Sequence, residues 1–246
     1  MSLRSLIPKT HNMTLGIFQD LHANLPALEK AIQLFRFHRC EKIIHVGDLI
    51  GIGPFPKECL ELSLSIKEME LIMGNHDYLY PHGIPESMNE DEKKHQEWTH
   101  SQIGDIYKTN VREWPFIKSM ELTNQRDITF QHYGFDNSTN WFKEHIAEPN
   151  EDDLDKMFEG TKSDIIFYGH NHQASDIVGK SRYVNLGSAG CHFTPEVRVG
   201  ILYVSDTKMN LEKHSVTYDD NKFMEAFEIR KVPARDFIKK KFILRK

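Results

Sequence analysis

The chain has 246 residues, 39% of them hydrophobic and 27% charged, proportions that exclude intrinsic disorder and allow one large domain with a real core. No stretch approaches the roughly 20 apolar residues of a membrane span, and three dispersed cysteines, Cys40, Cys59 and Cys191, exclude a disulfide framework. A net charge of -5 argues against a nucleic-acid platform, although Arg230 to Lys246 carries eight basic residues against one acid.

Met1 to Thr10 has a charge at Arg4 and a proline at Pro8 but no apolar block, so it does not read as a secretory signal. The expectation is a cytoplasmic protein with free thiols, none of them a metal ligand. Met13 to Phe18 then reads as a buried strand, and Leu25 to His38 as a helix with Leu25, Leu28, Ile32 and Phe35 on one face. Lys42 to Val46 is a second strand, Pro56 to Ser65 a short helix opened by its proline, and Met69 to Met73 a third strand. This βαβαβ order predicts a mainly parallel sheet covered by helices.

Asn89 to Asn110 is strongly polar around Trp98, Ile103, Ile106 and Tyr107, which suggests a helical insertion. Strands are expected again at Asp127 to Tyr133, Asp164 to Tyr168, Arg182 to Leu186 and Val199 to Val204, with a helix over Asp152 to Glu159. After Ser181 the strands come at short intervals, which predicts antiparallel pairing. The domain plan is one unit over 1–246, with an insertion at 84–112 and a basic tail at 230–246.

Each of these strands but the last two ends in polar residues able to bind a cation. Gln19-Asp20-Leu21-His22 ends the first, Gly47-Asp48 the second and Gly74-Asn75-His76-Asp77 the third. His132 lies near the end of ITFQHY, and Gly169-His170-Asn171-His172 follows DIIFY. Ligands collect outside the carboxyl ends of strands in open α/β sheets, so these clusters should lie side by side. The candidate metal ligands are Asp20, His22, Asp48, Asn75, His132, His170 and His172. Mixed nitrogen and oxygen donors favour two divalent ions of Mn, Fe or Zn over Mg. Two ions about 3.5 to 4 Å apart activate a hydroxide for attack on phosphorus, and a positioned imidazole protonates the leaving alkoxide, for which His76 is the candidate. The glycines of GDLIGIG lack the GK[ST] and GxGxxG patterns, so they read as turn residues and not as a nucleotide loop.

The ordered series DxH at Asp20, GD at Asp48, GNHD at Asn75, the later His132 and GHNH at His170 resembles the calcineurin-like metallophosphoesterases over about Met13 to Val204. GDLIGIGPFP and NLGSAG are similar to the small bacterial branch that includes diadenosine-tetraphosphatase-like and phosphodiesterase-like enzymes. The resemblance implies two mixed sheets packed as a sandwich and flanked by helices. It implies one metal on Asp20, His22, Asp48 and His172 and another on Asp48, Asn75, His132 and His170, with Asp48 bridging. It places His76 and Asp48 in catalysis. Gln19, Ala23 and Leu186 stand where the family usually has a small hydroxyl residue, glycine and proline; Ala23 suggests a recast loop after His22, because glycine tolerates positive φ there.

The expected activity is two-metal phosphatase action on phosphomonoesters, either small molecules or phosphoserine and phosphothreonine in proteins. The alternatives are a phosphodiesterase or dinucleoside polyphosphate hydrolase, and an inactive metal-binding docking scaffold. Expected substrates are phosphorylated small molecules, nucleotides or phosphoproteins, and the acidic body argues against long nucleic acid. Neither a membrane nor an oligomeric state is indicated. For the insertion, a substrate-selecting cap and a solvated helical pair weigh equally; for the tail, packing of Phe237, Ile238, Phe242 and Ile243 onto the body is favoured over an anionic partner.

Overall fold

The computed structural model describes residues 13–122, 126–205 and 208–243. The readings of Met1 to Thr10 and of Arg245 and Lys246 in the tail lie outside these residues. In chain order the elements are β1 (Met13–Phe18), α1 (Leu25–Phe37), β2 (Lys42–His45), α2 (Pro56–Ser65), β3 (Met69–Leu71), α3 (Asn75–His82), α4 (Glu90–Ile103), α5 (Lys108–Arg112), β4 (Ile117–Leu122) and β5 (Arg126–Gln131). There follow β6 (Phe135–Asp136), β7 (Trp141–Phe142), α6 (Glu151–Met157), β8 (Ile165–Phe167), β9 (Ser175–Val178), β10 (Arg182–Asn185), β11 (Glu196–Val204), β12 (Met209–Thr217), α7 (Asn221–Ile229) and α8 (Arg235–Ile238), which runs into a π-helical turn at Lys239–Ile243.

Two five-stranded mixed sheets form, ordered β12-β11-β1-β2-β3 and β4-β5-β8-β10-β9. As the βαβαβ reading requires, β1, β2 and β3 are parallel. The antiparallel pair β11 and β12 extends the other edge of that sheet. The sheets face one another through the residues that alternate inward, with Leu15, Ile17, Ile44 and Val46 from the first meeting Ile128, Phe130, Ile165 and Phe167 from the second. Both inner faces are apolar and buried at their centre, with Met13, Met120, Met209 and Leu211 partly buried around them, which is the sandwich condition. On the outer face of the first sheet, Ala27, Leu28, Ala31, Ile32 and Phe35 bury one stripe of α1. The side chain of Asn24 caps that helix by accepting from the Ala27 amide.

Antiparallel pairing after Ser181 holds only in part. β10 is antiparallel to β9 but parallel to β8, and β11 crosses to the other sheet. Alternation in a sequence gives the face of each strand but not its partner. The polar stretch around Trp98 forms α4 and α5, capped at Asn89, whose side chain accepts from the Glu92 amide. The tail packs only in part as expected: Ile238 and Ile243 bury against Ile52, Phe223, Phe227 and Val232, and Phe242 is partly buried beside them, whereas Phe237 stays 60% exposed.

His45, on β2, is fully buried against Phe18, and neither ring nitrogen has a hydrogen-bond partner. Burial, then the neighbouring His132, lowers its pKa to about 3. The unfolded imidazole titrates near 6.5, so its contribution to stability is complete above that pH and is lost as pH falls toward 3. Replacing His45 with Leu removes two unpaired polar atoms. Urea melts should show a gain of about 1 kcal/mol at pH 7.5, and a further gain of about 2 kcal/mol relative to wild type at pH 5. An unchanged difference between the two pH values would refute the neutral buried state.

Candidate metal centre

Bends at the ends of β1, β2 and β8 aim successive side chains into one volume. Asp20, His22, Asp48, His170 and His172 all take left-handed backbone, with φ between 51° and 72°. Non-glycine residues in this region cost of order 1 to 3 kcal/mol each, a strain that gathers at functional sites. Ala23 adopts φ 53° as well, so the loop keeps the glycine-like conformation and is not recast at Ala23. The residue is fully buried and its amide donates to the Leu49 carbonyl at 2.8 Å, which holds it there.

All seven candidate ligands meet. The Nε2 atoms of His22 and His172 are 2.8 Å apart, and His22 Nε2 is 3.8 Å from Asp48 Oδ2. Asp20 Oδ1 is 4.0 Å from His172 Nε2. On the other side His132 Nε2 lies 3.3 Å from Asp48 Oδ2 and 3.1 Å from Asn75 Oδ1, which is in turn 2.8 Å from His170 Nδ1. Asp48 Oδ2 faces His22 on one side and His132 on the other, while Asp20 Oδ1 lies between His172 and His132, 3.9 Å from His132 Nδ1.

These contacts are electrostatically unbalanced. His132 Nδ1 donates to the Val46 carbonyl at 2.9 Å, which in a neutral ring leaves a lone pair on Nε2 facing two oxygen acceptors. A positive charge must sit between them. In the ion-free protein a proton meets that need: burial opposes the imidazolium, but Asp48 and Asp20 raise His132 to about 9. Burial lowers His22 well below the usual imidazole value, and takes His172 to about 4 and His170 to about 3, so these three rings stay neutral and keep lone pairs for a cation. Burial raises Asp20 to about 7, against the pull of His132, and the His170 amide donates to both of its oxygens at 3.0 and 3.1 Å. Such a donor set fits a pair of divalent cations.

Several neighbours escaped the sequence reading. Asp77, in the first turn of α3, accepts from the amides of Asp48, Leu49, Ile50 and Gly74. The Gln96 amide nitrogen on α4 is 3.1 Å from His76 Nδ1, which links the insertion to the candidate proton donor. His145 lies beside His170, their rings 5.2 Å apart. The Cys191 thiol is within 4.8 Å of ligand atoms on His22 and His172, and burial keeps its pKa well above the usual thiol value. Only the GNHD spacing hinted at Asp77, since an acid three residues after a glycine helix start reads as a cap.

NLGSAG ties the loops together. Ser188 Oγ and the Gly190 amide both donate to the Asp20 carbonyl, and the Ser188 amide donates to that of His172. A Cβ at Gly190 would collide with the Leu21 carbonyl, so glycine is required by close approach. Gln19, where a small hydroxyl residue was expected, is buried with its amide 2.8 Å from the Asn185 side-chain oxygen and reaches none of the ligands.

A sandwich whose strand-end loops converge two carboxylates, four imidazoles and an amide oxygen defines a metal-dependent phosphoric ester hydrolase. The chain belongs to the calcineurin-like phosphoesterase superfamily, whose domain matches residues 13–207. Members of this family depend on two metal ions. Over 163 residues the chain is 26% identical to an uncharacterized protein of Methanocaldococcus jannaschii, a match spanning 64% of this chain and 62% of that protein. Over 193 residues it is 26% identical to a phosphodiesterase of the same organism, covering 77% of this chain and 92% of that one. In fold it is similar to a hypothetical protein of Pyrococcus horikoshii OT3, with TM-score 0.76 at 17% identity over 92% of this chain and 96% of that one. A metallophosphoesterase of Sphaerobacter thermophilus gives TM-score 0.69 at 20% identity over the same shares. No helix among the described residues is long and apolar enough to cross a membrane.

Proposed function

We propose that the chain hydrolyses phosphodiesters of small organic molecules, with Asp20, His22, Asp48 and His172 holding one divalent cation and Asp48, Asn75, His132 and His170 the other. The observation that carries this reading is His132 Nε2 pressed against Asp48 Oδ2 and Asn75 Oδ1 with its other nitrogen already committed. Bound Mn, Fe or Zn supplies Lewis acidity toward a phosphoryl oxygen and lowers the pKa of water. Asp48 has Oδ1 held by the His76 amide at 2.8 Å, while Oδ2 faces His22 Nε2 and His132 Nε2, so this carboxylate would be free to help hold the cations.

His76 lines the cavity, its ring 5.0 Å from that of His22. With the Gln96 amide donating to Nδ1, the neutral ring carries its proton on Nε2, available to a leaving alkoxide. Two features favour diesters over the monoesters expected from the sequence. The phosphodiesterase relative is matched over most of its length, and the cavity offers apolar walls at Ile52, Phe193 and Phe242 that suit a second organic substituent.

The test is hydrolysis of bis-p-nitrophenyl phosphate and p-nitrophenyl phosphate by protein reconstituted with each metal. Metal-dependent turnover with the diester faster is expected. Faster monoester turnover would restore the phosphatase reading, and no metal-dependent turnover of either would leave the docking scaffold.

A further inference from the structure

The wall of the catalytic cavity is completed from outside the matched phosphoesterase domain. Lys241 and Phe242 lie well beyond residue 207, yet both line the same cavity as Asp48, Asn75 and His76. The ring of Phe242 is 5.8 Å from that of His172. Their position is fixed by apolar anchoring on either side: Ile238 and Ile243, 4% and 7% exposed, sink into the cluster formed by Ile52, Phe223, Phe227 and Val232. Between those anchors the chain makes a π-helical turn, which leaves Lys241 and Phe242 facing the cavity. Single π-helical turns recur at functional sites.

The charges of this segment are unequal in their pairing. Lys239 Nζ is committed to Glu228 at 2.7 Å and to Asp236 at 3.7 Å. Lys241 Nζ has no carboxylate within 4.0 Å among the described residues and rests 5.0 Å from the Phe242 ring centroid and 5.4 Å from that of Phe237. Arg198, on β11, lines the same cavity, also without a carboxylate within 4.0 Å among the described residues. The neighbouring Glu196 accepts from Ser215 Oγ at 2.9 Å and feels the charge of Arg198 only from beyond ion-pair distance. Two cations without a close anionic partner, beside aromatic rings and facing a metal-type centre, suit a ligand with a second negative charge. The cavity, about 720 Å³, has room for such a molecule beside the scissile group.

We propose that Lys241 and Arg198 form a subsite for an anionic group remote from the scissile phosphate, with Phe242 packing against the organic part between them, so that the C-terminal segment selects organic phosphates bearing two anionic groups. This rests on the phosphoesterase reading only in that the first anion sits at the metal centre. Lys241 and Phe242 act here as specificity-determining residues and take no part in bond cleavage.

Two uncleavable probes separate the second charge from everything else: benzylphosphonate and its 4-carboxy derivative, titrated calorimetrically into Mn-reconstituted protein. In wild type the carboxylated probe should bind about tenfold tighter, the order of one charge-assisted contact. Lys241→Ala should shrink that gap to twofold or less, Lys241→Arg should keep it, and Lys240→Ala, whose side chain is not in the cavity wall, should leave it untouched. Phe242→Ala should weaken both probes by the same factor. Equal affinity of the two probes in wild type, or a gap that survives Lys241→Ala in a folded variant, would overturn the subsite. Because these are binding measurements, they read the subsite even if bis-p-nitrophenyl phosphate is not turned over, an outcome that would sink the hydrolase reading alone.

Discussion

Asp48→Asn should lower kcat for bis-p-nitrophenyl phosphate on the order of a thousandfold and cost the purified protein at least one equivalent of metal. The reason is positional. Among the described residues, Asp48 is the only carboxylate with one oxygen within 4.0 Å of both His22 Nε2 and His132 Nε2, so it would serve both proposed cations at once. An amide in its place keeps an oxygen for the His76 amide but removes the negative charge that both cations would share. Loss of one well-placed electrostatic contact in a dry site costs about a hundred- to a thousandfold, and weakened occupancy adds to that. The circular dichroism spectrum should not change, since the shape and one acceptor are retained. A variant within tenfold of wild type, with metal content intact, would remove Asp48 from the centre of the reaction.

The sequence made the strand ends legible because each motif follows an apolar run, and a strand end is a fixed place in a parallel sheet. Asp20, Asp48 and Asn75 could therefore be put side by side from β1, β2 and β3 alone. What it could not give was anything decided by the second sheet or by the chain's return. β12 was missed because its inward and outward residues are both largely polar, as in Glu212, Lys213 and His214. α3 was missed because its residues include Pro81 and two histidines and have no apolar stripe. The pairing of β10 with β8 and the reach of Lys241 into the cavity are tertiary facts with no local signature. Family resemblance supplied the division of ligands into two groups; the distances place Asp48 between His22 and His132, but Asp20 lies as near to His132 as to His172. The departure at Ala23 suggested the wrong response, because the cost of left-handed alanine is met by a buried backbone hydrogen bond and not by a change of loop.

Asp77→Asn should lower stability by about 3 to 5 kcal/mol, a drop in Tm of roughly 10 °C for a chain of this size, although Asp77 is not among the candidate ligands. Its two oxygens serve two loops. Oδ2 accepts from the Asp48 amide at 2.8 Å and the Gly74 amide at 3.1 Å, while Oδ1 accepts from Leu49 at 3.0 Å and Ile50 at 3.1 Å. Gly74 approaches so closely that a Cβ there would strike the Asp48 backbone nitrogen and carboxylate. The carboxylate therefore clips the loop carrying Asp48 to the start of the helix carrying Asn75 and His76. Burial and the charge of Asp48 push its pKa up to about 7, while the amides of Ile50 and Gly74 pull it down. All four contacts need an acceptor, so the ionised form is the one that fits. Asparagine keeps one acceptor oxygen and turns an NH2 group toward two N–H donors, leaving buried donors unpaired at about 1 to 3 kcal/mol each. Activity should fall with stability, because the spacing between Asp48 and Asn75 is set by this clip, and excess Mn should recover part of the Tm by binding the folded state. Asp20→Asn is the contrast: Asp20 receives one amide, from His170, so it should lose activity at nearly unchanged Tm. If the two variants melt alike, the clip is not what holds the two loops together.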